Sequence, residues 1–317
     1  MRYVDIEKLL VEFELLWKKG ARNFKFIDRT FNLQIKTSNK ILDFFLEKKP
    51  PYFTHFEVVP DHFPQSLKAK IVQFPKGALQ LEVGIQTLNK EVAITIQRNL
   101  NIQKIKENIR FLEIETEAHL HLDLIVGLPG EPLSTFGENL DMLCALSQSE
   151  IQIGILKNLS GTTLSRHDNK YGMIYSDIAP YDVLKTAAVS YKEIQQMKRF
   201  ARFWDLFYNS GNFNHSVRLI WQNSSVFHHF FAFSLWIYIK TEATWKISLD
   251  RLAKLLFEYL TDIHKLGKST VANSITLDLS KIEGRTIPAF IKQYSTVQKK
   301  EKSTSLEVHN KRQQKRS

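Results

Sequence analysis

The stretch His119–Glu131 has the sequence HLHLDLIVGLPGE, in which a strand-like pattern runs into a glycine-rich turn. Apolar residues alternate with His121 and Asp123 along its first eight positions, and this period of two predicts a β-strand. The Gly127–Gly130 segment predicts a tight turn whose glycines let the backbone approach a bound molecule closely. Asp123 near the strand's end and Glu131 after the turn occupy the positions where α/β enzymes keep their functional side chains.

The same pattern recurs along the first half of the sequence. Strands are predicted to begin near residues 24, 54, 79, 119 and 151, with helical segments between them. This βα rhythm is typical of a parallel sheet with right-handed crossovers, and five units are too few for an eight-stranded barrel. The sequence therefore predicts an α/β fold: a partial (β/α) barrel of parallel strands over residues 1–176.

The second half of the chain has a helical pattern instead. A helix is predicted to open at Pro180, and further helices follow, so residues 177–297 form an all-helical C-terminal extension. Residues 298–317 carry seven Lys/Arg and two Glu, which is +5 of the net charge of +11. Because this tail lacks apolar periodicity, we predict that it is disordered and basic. The remaining sequence is only mildly basic, so its charge does not require a nucleic-acid partner.

Composition excludes several classes of protein. A hydrophobic content of 43% and a charged content of 24% are ordinary for a globular protein. The one cysteine, Cys144, excludes a disulfide framework and any metal site built from cysteines alone. Acidic residues throughout Met1–Trp17 are unlike a signal peptide. The most apolar run, Val226–Ile239, is about fourteen residues, too short for a bilayer of about 30 Å. We expect a cytoplasmic protein without a membrane partner.

Polar residues accompany every predicted strand end. They are Asp28, Glu57, Gln86 with Arg98 behind it, Asp123, and Lys157. Since the carboxyl ends of parallel strands meet at one edge of a sheet, these residues predict a ligand-binding rim. Acids, an amide and an arginine together suit a zwitterionic ligand that contains a ribose.

The histidines of the central strand allow a second interpretation. His119, His121 and Asp123 have an H-x-H-x-D spacing that puts three metal-ligand types on one face of a strand. Ordinary strand residues with His121 partly buried are the interpretation we favour, so no metal ligand and no catalytic residue is assigned. A metal-dependent barrel enzyme that uses these three residues remains the alternative.

Five motifs together resemble the successive strands of radical SAM enzymes. They are GARNFKFIDRTFN (20–32), HFEVVP (55–60), LEVGIQTLN (81–89) with IQRN (96–99), HLDLIVGLPGE (121–131) and ILKNLSGTTL (155–164). The resemblance covers Gly20–Leu164 and takes Arg2–Trp17 as the first helix after the family's cluster loop. With YKEIQQMKRFARFWDLFYNSGNF (191–213), the chain is most similar to the cobalamin-binding-domain radical SAM proteins with an uncharacterised helical extension.

The resemblance implies a set of contacts to S-adenosylmethionine (SAM). The corner formed by Asp28, Arg29 and Thr30 would meet the methionine moiety. Methionine and ribose groups would be held by Glu57, Gln86, Arg98 and Asp123. The adenine would lie against Gly127, Leu128 and Pro129.

One departure from the family is severe. Radical SAM chemistry uses a Cys-x-x-x-Cys-x-x-Cys loop to hold a [4Fe–4S] cluster, and this sequence has neither that loop nor a cobalamin domain. We therefore expect an N-terminally truncated portion that carries a SAM pocket but is inactive alone, and whose partner would be the missing cluster-bearing part. The alternative is a non-catalytic binding protein that uses the rim and the basic tail. Neither interpretation identifies the small-molecule substrate.

Overall fold

The computed structural model describes residues 5–28, 30–222 and 224–297. Arg29, assigned above to the SAM corner, and the basic tail 298–317 lie outside the described residues. The chain forms two compact units. One unit contains the described residues up to Pro129 together with Met142–Gly154, and the other contains Gly130–Asp141 together with the described residues from Ile155 onward.

A five-stranded sheet organises the first unit. Its strands are β1 (Asn23–Lys25), β2 (Phe53–Val58), β3 (Leu79–Gln86), β4 (His119–Val126) and β5 (Glu150–Ile155). They follow one another in chain order across the sheet, and the registered pairs from β1 to β4 are parallel. The predicted α/β fold class, a sheet of five strands followed by helices, is confirmed. The first strand is shorter than predicted, because it ends at Lys25 and not at Asp28.

Helices connect the strands. They are α1 (Ile6–Lys18), α2 (Ile35–Leu46), α3 (Gln65–Ile71), α4 (Lys90–Thr95), α5 (Ile102–Glu115) and α6 (Leu133–Leu146). Asparagine side chains begin two of them: Asn89 accepts from the Val92 amide and Asn101 from the Lys104 amide, both at 3.0 Å. These caps fix the first residues of α4 and α5, the two helices between the third and fourth strands.

The two faces of the sheet differ in polarity. On one face the register neighbours Phe56, Leu81 and Leu120 are buried among apolar side chains. The other face is polar on four neighbouring strands. Its residues are His55, Glu57, Gln80, Glu82, His119, His121, Asp123 and Glu150. Parallel strands covered on both faces usually read as continuous apolar runs, so this alternation marks a face that is kept for polar groups.

The second unit is mainly helical. Its elements are α7 (Asp168–Tyr171), β6 (Ile174–Tyr175), β7 (Val183–Lys185), α8 (Tyr191–Trp204), α9 (Val226–Thr241), α10 (Leu249–Glu258), α11 (Lys268–Leu279) and α12 (Ala289–Lys292). Its core contains aromatic residues, since Phe200, Phe203, Trp204 and Phe207 are fully buried. Within the described residues, no helix combines the length and apolar character needed to cross a membrane.

The first helix of the extension begins later than predicted. The helix does not begin at Pro180. Pro180 is followed by β7, which pairs with β6 in an antiparallel hairpin, and α8 begins at Tyr191. The reason is a capping box: the Ser190 hydroxyl accepts from the Glu193 amide at 3.3 Å, while the Glu193 carboxylate accepts from the Ser190 amide at 2.8 Å. These two bonds satisfy amides at the start of the helix, which apolar spacing alone does not reveal.

Replacing Ser190 with alanine is expected to lower the free energy of unfolding by about 1 kcal/mol, because an amide in the first turn of α8 loses its acceptor. Chemical unfolding followed by circular dichroism measures the loss. Ser190→Asp keeps a capping oxygen and should retain most of the stability. Equal losses in the two variants would show that the cap does not stabilise α8.

Candidate functional site

Three carboxylates lie together on the polar face of the sheet. Glu57 and Glu82 are register partners on β2 and β3, and Asp123 lies two residues beyond His121, the β4 partner of Glu82. The Oδ1 atom of Asp123 is buried and accepts no hydrogen bond from the described residues. Burial, and then the negative charges of Glu82 and Glu57, raise the pKa of Asp123 to about 7. Among the residues that the structure describes, no cation therefore compensates the carboxyl group of Asp123.

The pKa of Glu82 is shifted in the opposite direction, because its carboxylate has a partner. Its Oε1 atom lies 2.9 Å from Nε2 of His55, a side chain that is almost completely buried. The close contact with His55 outweighs burial and lowers the pKa of Glu82. Two neighbouring acids thus differ in their environments, and such a difference is common where a protein binds charge or moves a proton.

Arg98 fixes the carboxyl end of β3. Its Nη1 atom donates to the backbone oxygens of Gly84 at 2.9 Å and Ile85 at 3.3 Å. Burial lowers the pKa of Arg98, and the nearby Asp61 carboxylate opposes this shift. Arg98 therefore holds the end of the strand in place.

Gln86, the last residue of β3, has an unusual backbone conformation. Its φ of 66° lies in the left-handed region, which a residue with a side chain rarely adopts. A Cβ atom built on Gly84 would lie 3.0 Å from Nε2 of Gln86 and 3.8 Å from Nη2 of Arg98. Gly84 thus leaves room for both polar side chains at one strand end, and such local strain is frequent at ligand sites.

A cavity of about 530 Å³ lies at the carboxyl ends of β2 and β3. Thr30 and Arg98 line it, together with Asp61 and Lys104. The volume is in the range of small-molecule sites, and the lining combines apolar residues with a few charged groups.

The predicted rim residues fall into separate groups. Glu57 and Asp123 share the carboxylate group, Gln86 and Arg98 flank Gly84, and Thr30 joins Arg98 in the cavity. Asp28 is exposed and accepts from the Thr30 amide and hydroxyl, both at 3.0 Å. The Gly127–Pro129 turn is buried directly after β4, and Gly127 has a φ of 86°.

A second polar group occupies the amino-terminal end of the same face. His119 and His121 both point their Nε2 atoms at the carboxylate of Glu150, each at 3.1 Å. Burial alone would raise the pKa of Glu150, but hydrogen bonds from the two histidines hold it well below its usual range. The third member of this group is Glu150, and not the Asp123 suggested by the H-x-H-x-D spacing.

Sequence reasoning missed Glu82, His55 and Glu150. Glu82 lies between Leu81 and Val83, while His55 precedes Phe56 and Glu150 precedes Ile151. This alternation of polar and apolar positions was the available signal. The prediction considered only the carboxyl ends of the strands, whereas these residues form groups between neighbouring strands.

The comparisons with known proteins concern both parts of the chain. A family model described as "Protein of unknown function (DUF4080)" matches residues 169–316. No curated protein matches the chain.

Solved structures similar to this chain include the radical S-adenosylmethionine methyltransferase TsrM from Kitasatospora setae, with cobalamin and a [4Fe–4S] cluster bound. It is 14% identical, the match covers 59% of this chain and 38% of that one, and the TM-score is 0.46. Coproporphyrinogen III oxidase (HemN) from Escherichia coli is 17% identical over 63% of this chain and 44% of its own, with a TM-score of 0.42.

Both of these proteins are radical SAM enzymes. A further one is the cobalamin-dependent S-adenosylmethionine radical enzyme OxsB, 12% identical, with 87% of this chain and 49% of that chain covered and a TM-score of 0.45. The chain spans less than half the length of each of these three proteins.

Proposed function

We propose that this chain is part of a radical SAM protein and that the polar face of its sheet binds S-adenosylmethionine. The observation that carries the proposal is the group formed by Glu57, Glu82 and Asp123. Buried carboxylates are costly unless they are paired, and here one oxygen of Asp123 has no donor among the described residues. A cationic ligand would compensate this charge.

SAM has the charges that this group needs. Its sulfonium and ammonium groups are cations that carboxylates attract, and its ribose hydroxyls can donate to the same oxygens. At an effective dielectric constant of about 20, two opposite charges about 4 Å apart attract by about 4 kcal/mol. The site therefore favours a ligand with a compact positive centre over a neutral one.

The neighbouring groups fit the remaining parts of the molecule. Gln86 offers an amide that can donate and accept, and Arg98 lines the cavity with a guanidinium suited to a carboxylate. The buried Gly127 turn offers a backbone surface against which a flat ring can lie. When bound, SAM supplies a sulfonium whose bonds to carbon can be broken; the protein residues bind and orient it.

The iron–sulfur cluster of the family does not fit the described residues. A [4Fe–4S] centre that binds SAM needs three thiolate ligands, whereas this sequence has only Cys144, a half-buried residue of α6. We therefore assign SAM binding to these residues and derive no radical step from them.

Calorimetric titration of the purified chain with SAM tests the proposal. We expect saturable binding of one SAM per chain, which Asp123→Asn and Glu57→Gln should each weaken by roughly tenfold, because each variant removes about 1.4 kcal/mol of charge interaction. Methionine and adenosine, titrated separately, should bind more weakly than SAM.

Glu47→Gln is the matched control. Glu47 is an exposed carboxylate at the end of α2, so its neutralisation changes net charge equally but leaves the polar face intact. Binding that is absent in the unaltered chain, or that falls by the same factor in Glu47→Gln, would contradict a pocket at the carboxylate group.

A further inference from the structure

Two histidines and a glutamate converge at the amino-terminal end of the polar face. The Nε2 atoms of His119 and His121 lie 2.9 Å apart. The first is 3.1 Å from Oε1 of Glu150 and the second is 3.1 Å from Oε2. All three side chains are largely buried, with side-chain exposures of 19%, 9% and 14%.

The sheet itself creates this convergence. His119 and His121 are two residues apart on β4, so they project from the same face, and Glu150 begins the adjacent strand β5. The group is thus built on rigid strands, where positions are more precise than on loops.

Hydrogen bonds alone do not account for the arrangement. A ring N–H points along one direction, yet each Nε2 atom faces both the other ring nitrogen and a carboxylate oxygen. When both rings donate to Glu150, their two Nε2–H groups face each other at 2.9 Å with no acceptor between them. A cation at the centre would be bound by all three groups at once.

The distances also match a metal coordination sphere. With metal–ligand bonds of about 2.1 Å, adjacent ligands lie about 3.0 Å apart on one face of an octahedron and about 3.4 Å apart in a tetrahedron. The two Nε2 atoms are 2.9 Å apart, and each lies 3.1 Å from a different oxygen of Glu150, so each of these neighbouring donor pairs has a separation close to that of adjacent octahedral ligands. Three residues leave other coordination positions open.

A fourth residue supports the ligand orientation. The carboxamide nitrogen of Gln80 lies 3.3 Å from Nδ1 of His121. The carboxamide oxygen is buried and accepts no hydrogen bond within the part of the chain that the structure describes. A half-turn of the carboxamide presents that oxygen to Nδ1–H instead. Metal-bound histidines usually donate their second ring nitrogen to an oxygen in this way, which leaves the Nε2 lone pair for the metal.

We propose that His119, His121 and Glu150 bind one divalent transition-metal ion. Two imidazoles and one carboxylate suit zinc or ferrous iron, whereas magnesium and calcium prefer sites made of oxygen alone. The site is separate from the carboxylate group proposed to bind SAM, so the two proposals can fail independently.

The test uses the full chain, stripped of metal with a chelator and then titrated with zinc. We expect one zinc ion per chain, a higher Tm in its presence, and binding weakened roughly 100-fold in His119→Gln and in Glu150→Gln. Magnesium should not displace zinc. Ferrous iron, added under anaerobic conditions, should compete with it.

His228→Gln is the control for loss of an imidazole. His228 is exposed on α9, in the other unit, and should retain unaltered zinc binding. Circular dichroism checks that each variant is folded. An unchanged Tm in saturating zinc, or equal weakening in His119→Gln and His228→Gln, would overturn the proposal without any reference to SAM binding.

Discussion

Replacing Asp123 with asparagine is expected to raise the free energy of unfolding by about 2 kcal/mol at pH 8.5, and by about half as much at pH 5.5. The amide has nearly the shape of the carboxyl group but no charge. Its NH₂ group can also donate to the carboxylates of Glu57 and Glu82, which lower the stability of an ionised Asp123 by repulsion.

The sign of the pH dependence follows from the pKa of Asp123, which is raised to about 7 in the folded protein. Below the unfolded pKa of about 4, Asp123 is protonated in both states and costs no stability. As the pH rises from about 4 to 7, the unfolded chain loses its proton first, so stability falls until the folded pKa is reached. The difference between a pKa of about 7 in the folded chain and about 4 in the unfolded chain corresponds to about 4 kcal/mol, which partial solvent access reduces to about half.

Urea unfolding of chelator-treated protein at the two pH values measures this effect. Glu47→Gln provides the baseline, because removing an exposed charge changes stability by less than about 0.5 kcal/mol. A loss of stability in Asp123→Asn at pH 8.5 would mean that the carboxylate is already compensated within the folded chain. The expected gain in stability, combined with weaker SAM binding, would show that this acid is retained for function.

Replacing Gly137 with alanine is expected to lower the free energy of unfolding by about 2 kcal/mol, although alanine is the better helix former by about 1 kcal/mol. Gly137 lies inside α6, and a Cβ atom there would come within 2.8 Å of Cγ of Phe227. Both residues belong to the second unit. Overpacking therefore outweighs helix propensity.

The aromatic ring has little freedom to move aside. Phe227 is 5% exposed, and its ring centroid lies 5.9 Å from that of Phe136 and 5.6 Å from that of Phe200. Its backbone amide donates to Oδ1 of Asp141 at 2.8 Å. The first residues of α9 are consequently held against α6 by packing and by a hydrogen bond.

A double-mutant cycle checks the explanation. In a Phe227→Leu background the clash is removed, so Gly137→Ala should cost less by at least about 1 kcal/mol. Chemical unfolding of the four proteins supplies the coupling energy. Stabilisation by Gly137→Ala alone, as in an exposed helix, would show that Phe227 does not restrict this position.

Local sequence patterns were sufficient to predict the strands of the sheet. Alternation in HLHLDLIV and the spacing of the apolar runs predicted β4 with its observed bounds and the first residues of β2, β3 and β5 to within one residue. Such periodicity reflects burial of one strand face and needs no knowledge of distant contacts. The start of the first helix in the extension was harder to predict, because the Ser190 capping box and the hairpin before it depend on backbone geometry that apolar spacing does not encode.

The candidate sites depend on register between strands. Glu82 became visible as a partner of Glu57 only through the pairing of β2 with β3, and Glu150 meets the two histidines only because β5 lies beside β4. A shift of one residue in either strand would turn these side chains to the opposite face. Sequence spacing within one strand therefore suggested Asp123 as the third metal-ligand type, whereas the register brings Glu150 to the histidines.

The strand order has a consequence for how the protein is made. Every strand of the five-stranded sheet lies beside the one that precedes it in the chain. During synthesis, at about 5–20 residues per second, each emerging strand can pair at once with an edge that is already formed. Assembly of the sheet can thus keep pace with the ribosome, and each βα segment protects the exposed edge of its predecessor before the helical extension has been translated.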